Sequence, residues 1–116
     1  MYYFYIILSV GGRVGFGICE DPKDRNKKYA SHSGDIVQFV YLFGGVRAHA
    51  KSLERTIKND WAEQTWVVDD WKTEWLEKTV SVDELYKYVT QILTERPFLK
   101  LELVAKDYNF QQGDLK

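Results

Sequence analysis

Gly15-Phe16-Gly17-Ile18-Cys19-Glu20-Asp21-Pro22-Lys23-Asp24-Arg25, followed by Tyr29 and His32, is the stretch whose reading decides the fold. An apolar run closes on glycine. Asp21 then supplies a helix N-cap, and Pro22 sits at the first helical position, where a missing N–H does no harm. A helix to about Ser31 follows. On it Arg25, Tyr29 and His32 stand at i, i+4 and i+7 and share one face. A guanidinium, a phenol and an imidazole so aligned suit a phosphate. The plainer alternative is a basic helix side that is merely solvated.

Upstream, Tyr3-Phe4-Tyr5-Ile6-Ile7-Leu8 is aromatic and β-branched on both faces, which predicts a strand covered on both sides. Tyr3, Tyr5 and Ile7 share one face; Phe4, Ile6 and Leu8 share the other. Gly11-Gly12 supplies a hairpin turn into a partner strand over Val14 to Ile18. Downstream, Asp35 to Phe43 reads as a third strand, which Gly44-Gly45 breaks. Val46, Ala50, Leu53 and Ile57 then recur at helical spacing. Glu54 flanks that stripe, either reaching a cleft or pairing at the surface with Lys51 or Lys58.

The chain has 116 residues, 45% hydrophobic and 16% aromatic, which fits one domain with a real core and excludes a disordered or low-complexity class. Sixteen Lys and Arg against 17 Asp and Glu leave a net charge of −1, so nucleic-acid binding would have to come from a local patch such as Lys23, Arg25, Lys27 and Lys28. One cysteine and two histidines cannot build a conventional zinc site or an internal disulfide. Cys19 reads as a small buried filler rather than a nucleophile. The apolar opening is too short to span a bilayer and lacks a basic leader, so a cytoplasmic protein is expected.

Trp61, Trp66, Trp71 and Trp75 crowd a connecting region beside Asp69-Asp70 and are expected to pack a loop rather than stack bases. Ser81-Val82-Asp83-Glu84 is a capping box opening a third helix through Leu85, Val89 and Ile92, stopped by Arg96-Pro97. Phe98 to Val104 alternates as a terminal strand.

In order, these pieces resemble the GIY-YIG nuclease superfamily, in its phage-associated T5orf172-type branch. The likeness runs through Tyr3-Phe4-Tyr5-Ile6-Ile7, Phe16-Gly17, Asp21-Pro22-Lys23-Asp24-Arg25, Ala50-Lys51-Ser52-Leu53-Glu54 and Thr73-Glu74-Trp75-Leu76. It spans about residues 3–93, leaving 97–116 as a C-terminal extension of a single domain. The resemblance implies an α+β fold, a small three-stranded antiparallel sheet flanked by about three helices, with an extra C-terminal strand. It implies a metal-dependent DNA endonuclease that hydrolyses phosphodiester bonds. Tyr5 would be the tyrosine of GIY, Arg25 the essential arginine, Tyr29 the residue one turn later, and Glu54 the single carboxylate holding Mg²⁺ or Mn²⁺. Lys23, Lys27, Lys28 and His32 would bind the DNA backbone.

Each role has a chemical use: a phenol for a base, a guanidinium for charge on the phosphoryl oxygens, a divalent ion for the leaving oxygen. A phenol with an ordinary pKa near 10 must be lowered to act as base, and a buried core tyrosine is the competing reading for Tyr5. Where the family has the tyrosine of YIG, this chain has Phe16. That departure opens the alternative of a catalytically inactive nuclease-fold module that binds nucleic acid or a protein partner.

Overall fold

The computed structural model describes residues 1–32, 37–68, 71–77 and 79–108, and side chains within them except at 32, 66–68, 71–74 and 108. The His32, Trp66 and Trp71 side chains, Asp69-Asp70, and residues 109–116 of the extension lie outside the description. Strand β1 (Tyr2–Ser9) turns into β2 (Val14–Cys19), and helix α1 (Pro22–His32) leads to β3 (Val37–Gly45). Helix α2 (Arg47–Asp60), a 3₁₀ turn (Ala62–Gln64), β4 (Thr65–Val68), β5 (Trp71–Leu76), α3 (Val82–Glu95) and β6 (Glu102–Tyr108) follow.

The α+β class is as expected, but the sheet is larger than three strands. Six antiparallel strands run in the order β4-β5-β2-β1-β3-β6. The predicted tryptophan-rich connection is instead the β4–β5 hairpin, joined to β2 at Gly15↔Trp75. Thr65-Trp66-Val67-Val68 is a β-branched, aromatic run that the density of tryptophan obscured. The last strand also begins later than Phe98. Leu99 and Leu101 are buried in the loop before β6, where Leu99 N–H donates to the Arg96 carbonyl at 2.9 Å, so their alternation reports core plugs and not a strand.

The two faces of β1 carry separate cores, as its alternation predicts. Phe4 and Ile6 pack with Ala50, Leu53 and Ile57 of α2 and with Leu85, Val89 and Ile92 of α3. Tyr5 and Ile7 pack with Tyr29 of α1, Phe39 and Leu42. Successive strand side chains point to opposite faces, so α1 covers one side of the sheet and α2 and α3 the other.

Val46 does not join the α2 stripe. It is the N-cap residue and 57% exposed, because the first buried position of that helix is Ala50. Gly44 and Gly45 are the last two residues of β3, so the strand runs past Phe43 to include the glycines expected to stop it. A Cβ on Gly45 would lie 2.5 Å from the Lys100 carbonyl oxygen, so this glycine lets the loop before β6 press against β3. Gly12 (φ +89°) takes the left-handed position of the β1–β2 turn, and its N–H donates to the Ser9 carbonyl at 3.0 Å.

At the start of α3 the Ser81 hydroxyl accepts the Glu84 N–H at 3.1 Å, the cap that the sequence predicts. Helices α2 and α3 are clasped by Tyr88, whose hydroxyl donates to the Asp60 carboxylate, and by Arg96, which donates to Thr56 Oγ1 at 3.0 Å.

Candidate functional site

Asp21 caps α1: its carboxylate accepts the Lys23 N–H at 3.0 Å and the Asp24 N–H at 3.4 Å, while its carbonyl accepts the Arg25 N–H at 3.0 Å. The helix therefore starts at one end of the sheet, where β2 finishes and β1 begins. A cavity of about 380 Å³ opens there. Arg25 and Lys28 line it from α1, and Arg47 from the first position of α2. Tyr2, Ile18 and Cys19 form the strand-derived wall, and the guanidinium of Arg47 lies 5.6 Å from the Tyr2 ring centroid, in cation–π contact. Helices from opposite faces of the sheet thus bring their cations to one opening.

The acids of the rim are Glu20, Asp21 and Asp24. Asp21 is engaged in the cap, and Asp24 faces Lys28 at 3.4 Å. At the start of α2 no side chain caps the backbone and no acid stands in the first turn. An uncapped helix N-terminus carrying an arginine concentrates positive potential on that side of the opening.

Tyr5, Tyr29, Glu54, Lys23 and Lys27, also expected at the site, do not line this cavity. Tyr5 and Tyr29 are 1% and 6% exposed, their hydroxyls are hydrogen-bonded to each other at 2.9 Å, and neither lines the cavity. Their rings meet edge to face at 89°, with Phe39 5.2 Å from Tyr5 and Trp75 6.0 Å from Tyr29. Tyr5 matches the core-tyrosine alternative.

Glu54 belongs to α2, on the far side of the sheet from α1, and pairs with Lys58 at 3.7 Å. It too is absent from the cavity wall. The described cavity does not unite Arg25 with Tyr29 and Glu54. Among the described residues, no three His, Cys, Asp or Glu side chains group as a metal site. Glu54 faces the Lys58 ammonium and lies apart from the cavity shared by Arg25 and Arg47, so the one carboxylate expected to hold Mg²⁺ or Mn²⁺ does not stand beside those cations. Lys23 and Lys27 are exposed on α1.

Arg47 and Tyr2 are the site residues that sequence reading missed. The available signal was negative: Gly45-Val46-Arg47 enters a helix without any capping residue.

Cys19 is 4% exposed. Burial pushes its thiol up to about 12 from an ordinary 9.0, with Arg25 pulling partly the other way. Tyr88 is pushed up to about 12 from 10.0, first by desolvation and then by its hydrogen bond to Asp60. Both are neutral when protonated, and the folded state holds the proton more tightly than the unfolded state. Their stabilising contribution is full below about pH 9 and is lost as pH rises towards 12. Urea midpoints should fall across that window, and Cys19→Ser with Tyr88→Phe should flatten the fall. A slope unchanged in the double variant would assign the alkaline loss elsewhere.

Comparison with protein-family models, with curated proteins and with solved structures finds no match for this chain. No described helix is long and apolar enough to cross a membrane.

Proposed function

We propose that this chain is a nucleic-acid-binding module of nuclease-like α+β build that holds a backbone phosphate at the end of its sheet without cutting it. One observation carries the reading. Arg25 and Arg47 share a cavity whose lining includes neither Glu54 nor Tyr5 and Tyr29. Two guanidiniums can fork phosphate oxygens in a way that lysine cannot copy. Cleavage would also need a base and a metal beside the same phosphate, and the residues expected to supply them, Tyr5, Tyr29 and Glu54, do not line this cavity.

The acidic rim and the net charge of −1 keep the affinity low, in the range of about 10⁻⁴ to 10⁻⁶ M typical of non-specific binding.

A chemical-shift titration with a 5′-phosphorylated trinucleotide tests this reading. Binding through Arg25, Lys28 and Arg47 should give a log–log salt slope of about −2, at roughly −0.7 per phosphate neutralised on a single strand. Arg25→Ala and Arg47→Ala should each weaken binding about tenfold, as expected for the loss of a charge-assisted pair. Val46→Asp, at an extended N-cap backbone (φ −84°, ψ 153°), should stabilise the fold by about 1 kcal/mol and yet weaken binding, because its carboxylate takes the place of the phosphate. Binding that ignores salt and survives both arginine substitutions would refute the proposal.

A further inference from the structure

We infer that the phosphate track does not end in the cavity but continues along the flank of α2 over Lys51 and Lys58, with Glu54 acting as a built-in competitor for the last cation. This rests on the cavity reading above and extends it to the length of strand bound.

The helix supplies the geometry. Arg47, Lys51, Glu54 and Lys58 stand at i, i+4, i+7 and i+11, which at about 100° per residue falls within a stripe of roughly 60°. The buried line of Ala50, Leu53 and Ile57 faces the core, so the stripe runs beside it along the surface. Arg47, Lys51 and Lys58 are exposed. At a rise of about 1.5 Å per residue, Lys51 lies roughly 6 Å and Lys58 roughly 16 Å along the axis from Arg47. A single strand laid along that span presents more than one phosphate to the line of cations.

Charge complementarity selects the occupant. In a chain with a net charge of −1, three cations in one line beginning at an opening that holds two arginines match a strand of regularly spaced anions. The one acid in the line, Glu54, is 19% exposed and lies 3.7 Å from the Lys58 ammonium, whose side chain is 59% exposed. Lys58 can swing to a phosphate while Glu54 stays, so the strand must draw Lys58 away from that carboxylate. A surface ion pair of this kind is weak enough to be displaced. Removing Glu54 therefore strengthens binding, the opposite of what a metal-holding catalytic glutamate requires.

The experiment compares the 5′-phosphorylated trinucleotide with an octanucleotide of the same composition by fluorescence polarisation over a salt series. The octanucleotide should bind more tightly, with a slope steeper by about 1.4 for two further single-strand phosphates. Lys51→Ala and Lys58→Ala should each weaken the octanucleotide about fivefold, leave the trinucleotide unchanged and flatten the slope by about 0.7. Glu54→Gln should tighten the octanucleotide about fivefold, and Lys87→Ala on α3 should alter neither ligand. Melting temperatures report whether any variant has lost its fold.

An octanucleotide that binds no better than the trinucleotide, or lysine variants without effect, overturns the track while the cavity stands. Trinucleotide binding that survives Arg25→Ala and Arg47→Ala removes the cavity reading and the track with it.

Discussion

Gly17→Ala should lower stability by about 3 kcal/mol, at the upper end of the usual cost of overpacking. The position is directly opposite Tyr5 in the β1–β2 ladder. A Cβ built there would lie 2.5 Å from the Tyr5 hydroxyl oxygen and 2.8 Å from its Cζ. Such separations are far inside contact distance, so something has to move. The ring cannot withdraw, because it is 1% exposed and packed against Phe39 and Tyr29. Either the strand pair separates locally or the ring leaves its place and the hydroxyl pair is lost. Glycine stands at position 17 because a tyrosine lies across it. For a domain of this size the loss corresponds to a fall in Tm of roughly 10 °C, measurable by calorimetry. The double variant Gly17→Ala with Tyr5→Ala should regain part of that cost in a cycle, since the clash is removed with the ring. Additive effects would show that the two residues do not meet.

The second large effect concerns the Tyr5–Tyr29 hydroxyl pair. Tyr5→Phe and Tyr29→Phe should each cost about 1–2 kcal/mol, because each removes one hydrogen-bond partner from a hydroxyl that stays buried. The double replacement should cost clearly less than the sum, since both polar groups then go together and the rings still pack. The favourable coupling is what a hydroxyl pair in a core produces, whereas two independent residues would give additive losses. Affinity for the trinucleotide should stay unchanged in all three variants, because neither phenol lines the cavity. A phenol serving as a base would instead show its effect in turnover and leave stability nearly untouched.

Local features were the most legible in the sequence. Asp21-Pro22 fixes the start of α1 because a cap and a proline act within one turn, and Ser81 to Glu84 does the same for α3. The alternation of Tyr3 to Leu8 assigned each β1 side chain to the core it joins, because strand periodicity is a backbone property.

The side of the sheet on which each helix lies was not legible. Arg25 and Glu54 can be placed on their own helices from spacing alone, yet whether those helices share a face depends on the packing of the whole chain. The ordered motifs, by their resemblance to a nuclease family, therefore suggested a convergence that the described cavity does not make. Arg47 escaped notice for a related reason. Nothing marks it locally, and only the meeting of the α2 start with the end of β2 gives it a role. The β4–β5 pairing was not legible because tryptophan packs loops as readily as strands, and in β4 only Thr65, Val67 and Val68 beside it carry the β-branched signal.

The most direct test incubates end-labelled single-stranded DNA with the protein and Mg²⁺ or Mn²⁺, then resolves each reaction on native and denaturing gels. The predicted result is a shifted band with the strand intact, weakened by Arg25→Ala and Arg47→Ala and strengthened by Glu54→Gln. A shortened strand that appears only with the metal and vanishes in Glu54→Gln would contradict it, and would mean that Glu54 acts on the phosphate after all.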